Sequence, residues 1–173
     1  RYRNIYESLQ DVYVETTLDG TVLDVSPQIE KLTQGQYTSE HLRGRSSIAF
    51  YTDPRQREAF MGALRATGRV LDFEIAFQNA DGSSIPVSVS AKLACDASGR
   101  PERILSTLRD ITERTQAEQS LRAAEEQFRG LVEQSIAGIC ILQDGRVRYA
   151  NQRFADIFGY NGAAELIEND VLS

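Results

Sequence analysis

Alternating apolar and polar positions predict a β-hairpin near the start of the chain. Val12 and Val14 come before Asp19-Gly20 and Val22. An Asp-Gly pair supplies the positive φ that a tight turn needs, so two short strands on either side of it are expected. Short helices are predicted next, because residues suited to helix ends follow in order: Ser26-Pro27, Thr38 or Ser39, Gly44, Asp53-Pro54 and Gly68.

Three further strands are predicted after these helices. Apolar residues alternate through residues 71–77, with Leu71 on the apolar side, and again through residues 85–93. A last strand is expected over residues 104–111. Two strands, several short helices and a three-strand meander indicate an α+β domain, with an antiparallel sheet covered by helices on one face.

A long helix is predicted from Thr112 to about Ser135, with Asp110 or Thr112 as its cap. Its apolar positions follow the a/d spacing of a coiled coil, which predicts a dimer helix through Leu121, Ala124, Phe128 and Leu131. The alternative is a helix that packs on its own domain.

One supersecondary unit occurs twice, in residues 12–42 and 139–166. Each copy has an apolar strand, a DG turn, a second strand and a polar residue that opens a helix. A repeat of this kind indicates two related domains on either side of the long helix. The copies align through Asp19-Gly20 with Asp144-Gly145, Ser26 with Asn151, and Tyr37 with Tyr160.

Residues 98–121 read SGRPERILSTLRDITERTQAEQSL. This segment resembles the closing strand, RDITER-type junction and signalling helix of bacterial PAS domains. Residues 25–46 and the DGSSIPVSVSA segment resemble earlier parts of the same family. The resemblance implies a PAS fold with a five-stranded antiparallel sheet. We expect a PAS domain over residues 1–112, a linker helix over 113–134, and the incomplete beginning of a second PAS domain over 135–173.

The resemblance implies a sensory module of a tandem-PAS protein, with its effector domain elsewhere in the same chain. Histidine kinase, diguanylate cyclase (GGDEF) and phosphodiesterase (EAL) outputs all follow such arrays. We expect a homodimer in which a stimulus or partner is relayed through Arg109, Asp110, Ile111 and Thr112 into the helix. The alternative is a ligand-free dimerisation scaffold.

Composition narrows the partners and the compartment. The net charge of −6 argues against nucleic acid, and no apolar run is long enough to span a membrane. Cys95 and Cys140 lie in apolar runs and are expected to be buried thiols in a reducing compartment, which favours the cytoplasm. The chain begins at Arg1 without Met and is interpreted as part of a longer protein.

No catalytic or metal-binding group is expected. His41, the single histidine, lies between short helices and is interpreted as a structural or surface residue. The PAS resemblance disfavours haem, because the helix over residues 53–67 has no histidine, and disfavours a photoactive flavin, because no NCRFLQ-like motif is present. The ligand stays unknown.

Apolar residues are expected between the helices and the sheet. They are either a ligand pocket or simply the hydrophobic core, and no buried charge that would select a carboxylate or an amine is evident. The candidates are Phe50, Phe60, Leu64, Phe73, Ile75, Val87 and Val89. In the second copy, Phe154, Ile157 and Phe158 are expected to lack a sheet to cover, so this segment is predicted to be partly disordered or to pair with another chain.

Overall fold

The structure, a computed structural model, describes residues 11–168. The described chain divides into two compact units, one through Thr115 and one from Gln116 onward, which are considered separately below. The expected outer limits of the two domains, residues 1 and 173, lie outside the described residues.

A five-stranded antiparallel sheet forms the first unit. Its spatial order is β2-β1-β5-β4-β3, so the first hairpin joins the meander through the pairing of β1 with β5. The strands are β1 (Val12–Thr17), β2 (Val22–Val25), β3 (Arg69–Gln78), β4 (Ser84–Cys95) and β5 (Pro101–Asp110). The α+β architecture expected from the hydrophobic pattern is confirmed.

Short helices between β2 and β3 cover one face of this sheet. They are α1 (Gln28–Leu32), α2 (Ser39–Leu42), a 3₁₀ helix (Ser47–Phe50) and α3 (Pro54–Thr67). The core lies between the two layers, where Ile29, Leu64, Val87 and Ile104 are almost completely buried. Full burial of each such side chain contributes about 1.5–3 kcal/mol relative to exposure.

The helix ends follow the expected caps with one exception. Thr38 Oγ1 accepts the His41 backbone N–H, Asp53 Oδ1 accepts that of Arg55, and α3 ends at Gly68 with φ of 73°. Ser26 was predicted to cap α1, but its side chain makes no cap hydrogen bond there. Its hydroxyl oxygen instead accepts the Tyr13 backbone N–H at 2.9 Å, because that donor lies on the strand alongside.

The alternation predicted for the third strand is wrong at its first residue. Val70 pairs with Ala91 and Phe73 with Val89, so two residues of β3 oppose the single residue Ser90. This β-bulge shifts the alternation by one position. Leu71 is therefore 67% exposed, and Val70 takes the buried position instead.

The cysteine prediction is wrong for Cys95. This thiol lies at the end of β4 and is exposed, whereas Cys140 is half-buried; both are free cysteines. Apolar neighbours in the sequence do not bury a residue where a strand runs out beyond the helical layer. Neither cysteine therefore serves as a fully buried core residue.

The second unit has a smaller core. After helix α4 (Thr112–Glu133) come β6 (Cys140–Gln143), β7 (Arg146–Ala150), α5 (Gln152–Phe158) and α6 (Ala163–Glu168). Asp144 and Gly145 both have positive φ, as the two-residue turn between β6 and β7 requires. Ile157 and Phe158 are exposed, and the buried core is made of Val147, Ala150, Ala155 and Leu166.

Candidate functional site

One residue separates the last strand of the first unit from the long helix. β5 ends at Asp110, α4 begins at Thr112, and Ile111 between them is buried. The Ile111 N–H donates to the Pro86 carbonyl at 3.1 Å, and its carbonyl accepts the Thr115 N–H at 2.9 Å. Ile111 is thus bonded to the sheet on one side and to the helix on the other.

Asp110 caps the start of this helix. Its Oδ1 accepts the Thr112 backbone N–H at 2.8 Å. The first N–H groups of a helix have no partner within the helix, so a side-chain acceptor stabilises its first turn. Of the two expected caps, the structure uses Asp110.

Two ion pairs tie the junction to the residue before β1 and to β3. Arg109 makes a forked pair with Asp11, with Nη2 at 2.8 Å from Oδ2, and this hydrogen bonding raises the pKa of Arg109. Arg114 in the first turn of α4 pairs with Glu74 on β3. All four side chains are partly or largely exposed, so each pair contributes only about 0–1 kcal/mol. Their effect is to orient the junction.

A cavity of about 70 Å³ lies between the helices and the sheet. Four of the seven expected pocket residues, Phe50, Phe60, Ile75 and Val89, line it. Leu64 and Val87 are fully buried in the core and do not line it, and Phe73 packs edge-on against Phe60 at 5.6 Å between ring centroids. The volume is far below the roughly 300–1,000 Å³ of pockets for drug-sized ligands.

A charged residue that the sequence reasoning missed stands at one end of this cavity. The Arg57 guanidinium lies 5.9 Å from the centre of the Tyr51 ring, and both residues line the cavity with Ser47. Burial raises the pKa of Tyr51, with Arg57 opposing the shift. Arg57 precedes Phe60 by three positions and Leu64 by seven. Helical spacing alone therefore places it on the core-facing side of the predicted helix.

In the second unit, Asn151 and Glu133 hold the end of α4. The fully buried Asn151 donates from Nδ2 to the carbonyls of Val132 and Ala137, at 2.8 and 2.9 Å. Its Oδ1 accepts the N–H groups of Ile139 and Phe154. Glu133 accepts the Tyr149 hydroxyl and the Gln152 N–H, which lowers the pKa of its carboxyl.

The expected dimer helix carries an exposed apolar stripe. Leu121, Phe128 and Leu131 are 62%, 59% and 65% exposed, and Ala124 between them is exposed as well. Within the described part of α4, Val132 is the one buried residue. The stripe follows the heptad spacing that the sequence indicates.

Other expected chemistry can be located as well. His41 is exposed, and its backbone N–H bonds Thr38. Among residues 11–168, no three His, Cys, Asp or Glu side chains come together as a metal site. No helix in that range is long and apolar enough to cross a membrane.

Comparison with known proteins identifies the two units. A PAS domain profile matches residues 10–113, more than half of the chain, and a second PAS domain profile matches residues 126–173. The chain belongs to the PAS domain family. PAS domains are sensory rather than catalytic modules, which supports the expectation that this chain itself carries no enzyme activity.

Two sensor proteins are similar to the chain. The two-component sensor PprA of Pseudomonas aeruginosa is 30% identical over 162 residues, which cover 90% of this chain and 17% of that protein. The sensor histidine kinase TmoS of Ectopseudomonas mendocina is 25% identical over 132 residues, or 74% of this chain and 13% of that protein. The chain thus spans less than a fifth of either relative. The PAS domains of such sensors support a sensory role in signal transduction.

Solved structures share the fold. A PAS domain from Colwellia psychrerythraea superposes with a TM-score of 0.57 at 21% identity, covering 65% of this chain and 95% of that one. An RNA-binding light-oxygen-voltage receptor gives a TM-score of 0.60 at 20% identity, covering 72% and 36%. The predicted PAS fold is therefore confirmed.

Proposed function

We propose that the first PAS domain relays a stimulus through Arg109, Asp110, Ile111 and Thr112 into the linker helix, and from there to an effector domain in the same chain. The observation that carries this proposal is the double bonding of Ile111, whose N–H serves the sheet and whose carbonyl serves the helix. A shift of β5 therefore moves the first turn of α4 with it. The relay needs a helix with two arrangements of comparable energy.

The surrounding contacts support two such arrangements. The Asp110 cap and the ion pairs Arg109–Asp11 and Arg114–Glu74 are exposed and individually weak, so they exchange partners at little cost. The buried Ile111, through its two backbone hydrogen bonds, keeps the strand and helix connected while these polar contacts change. In this proposal Ile111 stays in place while the polar contacts around it change.

The domain limits and the parent protein belong to the same proposal. We assign residues 1–112 to the first PAS domain, 113–134 to the linker helix and 135–173 to the second PAS domain. The name of the sensor histidine kinase TmoS favours a histidine kinase output over a diguanylate cyclase or a phosphodiesterase, and that of the two-component sensor PprA is compatible with it. The free thiols Cys95 and Cys140 support a cytoplasmic location.

Replacing the helix cap tests the relay. Asp110→Ala removes the acceptor for the Thr112 N–H and destabilises the first helical turn by about 0.5–2 kcal/mol. We expect altered autophosphorylation of the full-length protein and an unchanged first sheet by circular dichroism. Thr112→Ala keeps the backbone donor, and we expect a smaller change in output.

Asp110→Asn is the matched control, because its amide oxygen still accepts the same N–H. It should retain most of the original response. Unchanged output in Asp110→Ala, with the domain folded, would count against the relay.

A dimerisation scaffold without a ligand is the second candidate. The exposed stripe of Leu121, Phe128 and Leu131 favours it, because an apolar heptad face is stabilised by a second copy. The absorbance spectrum and native mass of the purified protein separate the two functions. A co-purifying small molecule favours sensing, and an empty, tight dimer favours the scaffold.

A further inference from the structure

We propose that the cavity of the first PAS domain binds a small aliphatic monocarboxylate, with the Arg57 guanidinium as the anchor of its carboxylate. The proposal deepens the sensory function by naming the chemistry of the stimulus. Ligand binding can be tested without the effector output, so the ligand proposal and the relay can fail independently.

Arg57 has donors to spare. It is half-buried on α3, and among the described residues no carboxylate forms a salt bridge with it within 4.0 Å. Arg55 on the same helix is largely exposed and pairs with Asp53. A partly desolvated guanidinium without a carboxylate is suited to accept one from a ligand, because its planar fork matches both oxygens.

Asp19, an acidic side chain that lines the same outer groove as Arg57, forms its hydrogen bonds elsewhere. Asp19 accepts hydrogen bonds from the hydroxyls of Thr17 and Thr21. The Thr17 bond is the main cause that lowers the pKa of Asp19, and the charge of Arg57 is the weakest of the causes. Asp19 and Arg57, both within the described residues, form no salt bridge within 4.0 Å.

The position of Arg57 provides an entrance. Its side chain lines the internal cavity and also an outer groove that includes Leu18, Ile48 and Met61, and it is the one residue common to both linings. A Cβ atom on Gly20 would lie 2.8 Å from Arg57 Nη2, so the glycine leaves the room that the guanidinium occupies. Arg57 therefore stands between the cavity and the outer groove, where a ligand carboxylate could reach it.

The rest of the cavity determines the size and polarity of the group attached to the carboxylate. Apart from Arg57, Tyr51 and a few hydroxyl groups, the walls are aliphatic and aromatic, including Val22, Ile75 and Ile104. The volume of about 70 Å³ exceeds the roughly 10–15 Å³ that one water needs, and suits an acid of roughly two to four carbons. A second carboxylate would be desolvated without a partner, which disfavours dicarboxylates.

Calorimetric titration of the whole chain with butyrate tests the site, with butyramide as a neutral analogue of the same size. We expect saturable butyrate binding, and binding of butyramide at least about tenfold weaker, because a hydrogen-bonded charge contributes that much. Arg57→Gln should weaken butyrate binding by a similar factor. Arg55→Gln, which alters an exposed arginine of the same helix, should leave it unchanged.

Amide chemical shifts of the unmutated chain provide a check that does not depend on how Arg57→Gln folds. Butyrate should perturb the signals of Gly20, Ser47 and Tyr51. Absent binding, equal binding of butyramide, or shifts elsewhere with these three unchanged would overturn the proposal. Asp110→Ala should bind butyrate normally, so a broken relay and a missing ligand site give different results.

Discussion

At the scale of single residues, the two copies of the repeat use the same position with different strength. Ser26 accepts the Tyr13 N–H, whereas Asn151 makes four hydrogen bonds to backbone groups of Val132, Ala137, Ile139 and Phe154. An amide side chain has an acceptor oxygen and two donor hydrogens, so it joins segments that a hydroxyl cannot. Asn151 thereby connects the end of the linker helix to the second PAS domain.

We expect Asn151→Ala to destabilise the second unit by on the order of 2–4 kcal/mol, because it leaves several backbone groups without partners. Hydrogen exchange should accelerate at the amides of Ile139 and Phe154, while the sheet of the first unit keeps its protection. Asn161→Ala, at an exposed position bonded to Glu165, is the control and should change little. Unchanged exchange in Asn151→Ala would contradict this assignment.

At the scale of elements, helix α4 is held by hydrogen bonds at both ends and carries an exposed apolar face between them. Its first turn is bonded to the sheet through Ile111, and its last turn is held by Asn151 and Glu133. Between these ends, Leu121 and Phe128 are exposed. An isolated helix with such a face is marginally stable in water, which makes a second copy of the chain the expected partner.

Replacing the stripe tests that partner. The double change Leu121→Glu with Phe128→Glu places repelling charges at the same position of two successive heptads. It should weaken a dimer by at least about tenfold, which corresponds to about 1.4 kcal/mol. Sedimentation equilibrium measures the change in the dimer dissociation constant. Arg122→Glu alters the charge on the same helix outside the stripe, and this variant should remain a dimer. An equal native mass for the unmutated chain, the double variant and Arg122→Glu would argue against the helix interface.

The same scale shows where the hydrophobic pattern succeeds and where it fails. The strands, the turn glycines and the Asp53 cap follow from local sequence. The exposed Leu71 does not, because the bulge opposite Ser90 is a property of the paired strands. Helical spacing alone places Arg57 on the inner face of its helix. It does not reveal the proximity of Arg57 to Tyr51 and Gly20, because these residues lie outside that helix.

At the scale of the whole molecule, the two units differ in how much they bury. The core of the first unit draws on all five strands, three α-helices and the 3₁₀ helix, whereas the buried core described for the second has four side chains. Stability rises with the apolar area removed from water. The described chain should therefore not unfold as a single two-state system.

Heating should separate the two units. We expect two calorimetric transitions, the lower from the second unit, and hydrogen exchange should report loss of protection in residues 139–166 before loss in the sheet of the first unit. Asn151→Ala should lower the first transition and leave the second unchanged, which assigns them. A single transition with coincident loss of protection would show that the units unfold together.

The sequence by itself determined the element order, the repeat, the α+β class and the position of the strand-to-helix junction, because turn chemistry, capping and hydrophobic period act between near neighbours. Only the tertiary structure decided the β3 bulge, the exposure of Cys95 and which apolar residues line the cavity. It also decided that Arg57 lies over the Tyr51 ring and that no carboxylate within residues 11–168 forms a salt bridge with it. These features depend on which distant segments pack together, and the local pattern of hydrophobic and turn residues does not determine those contacts.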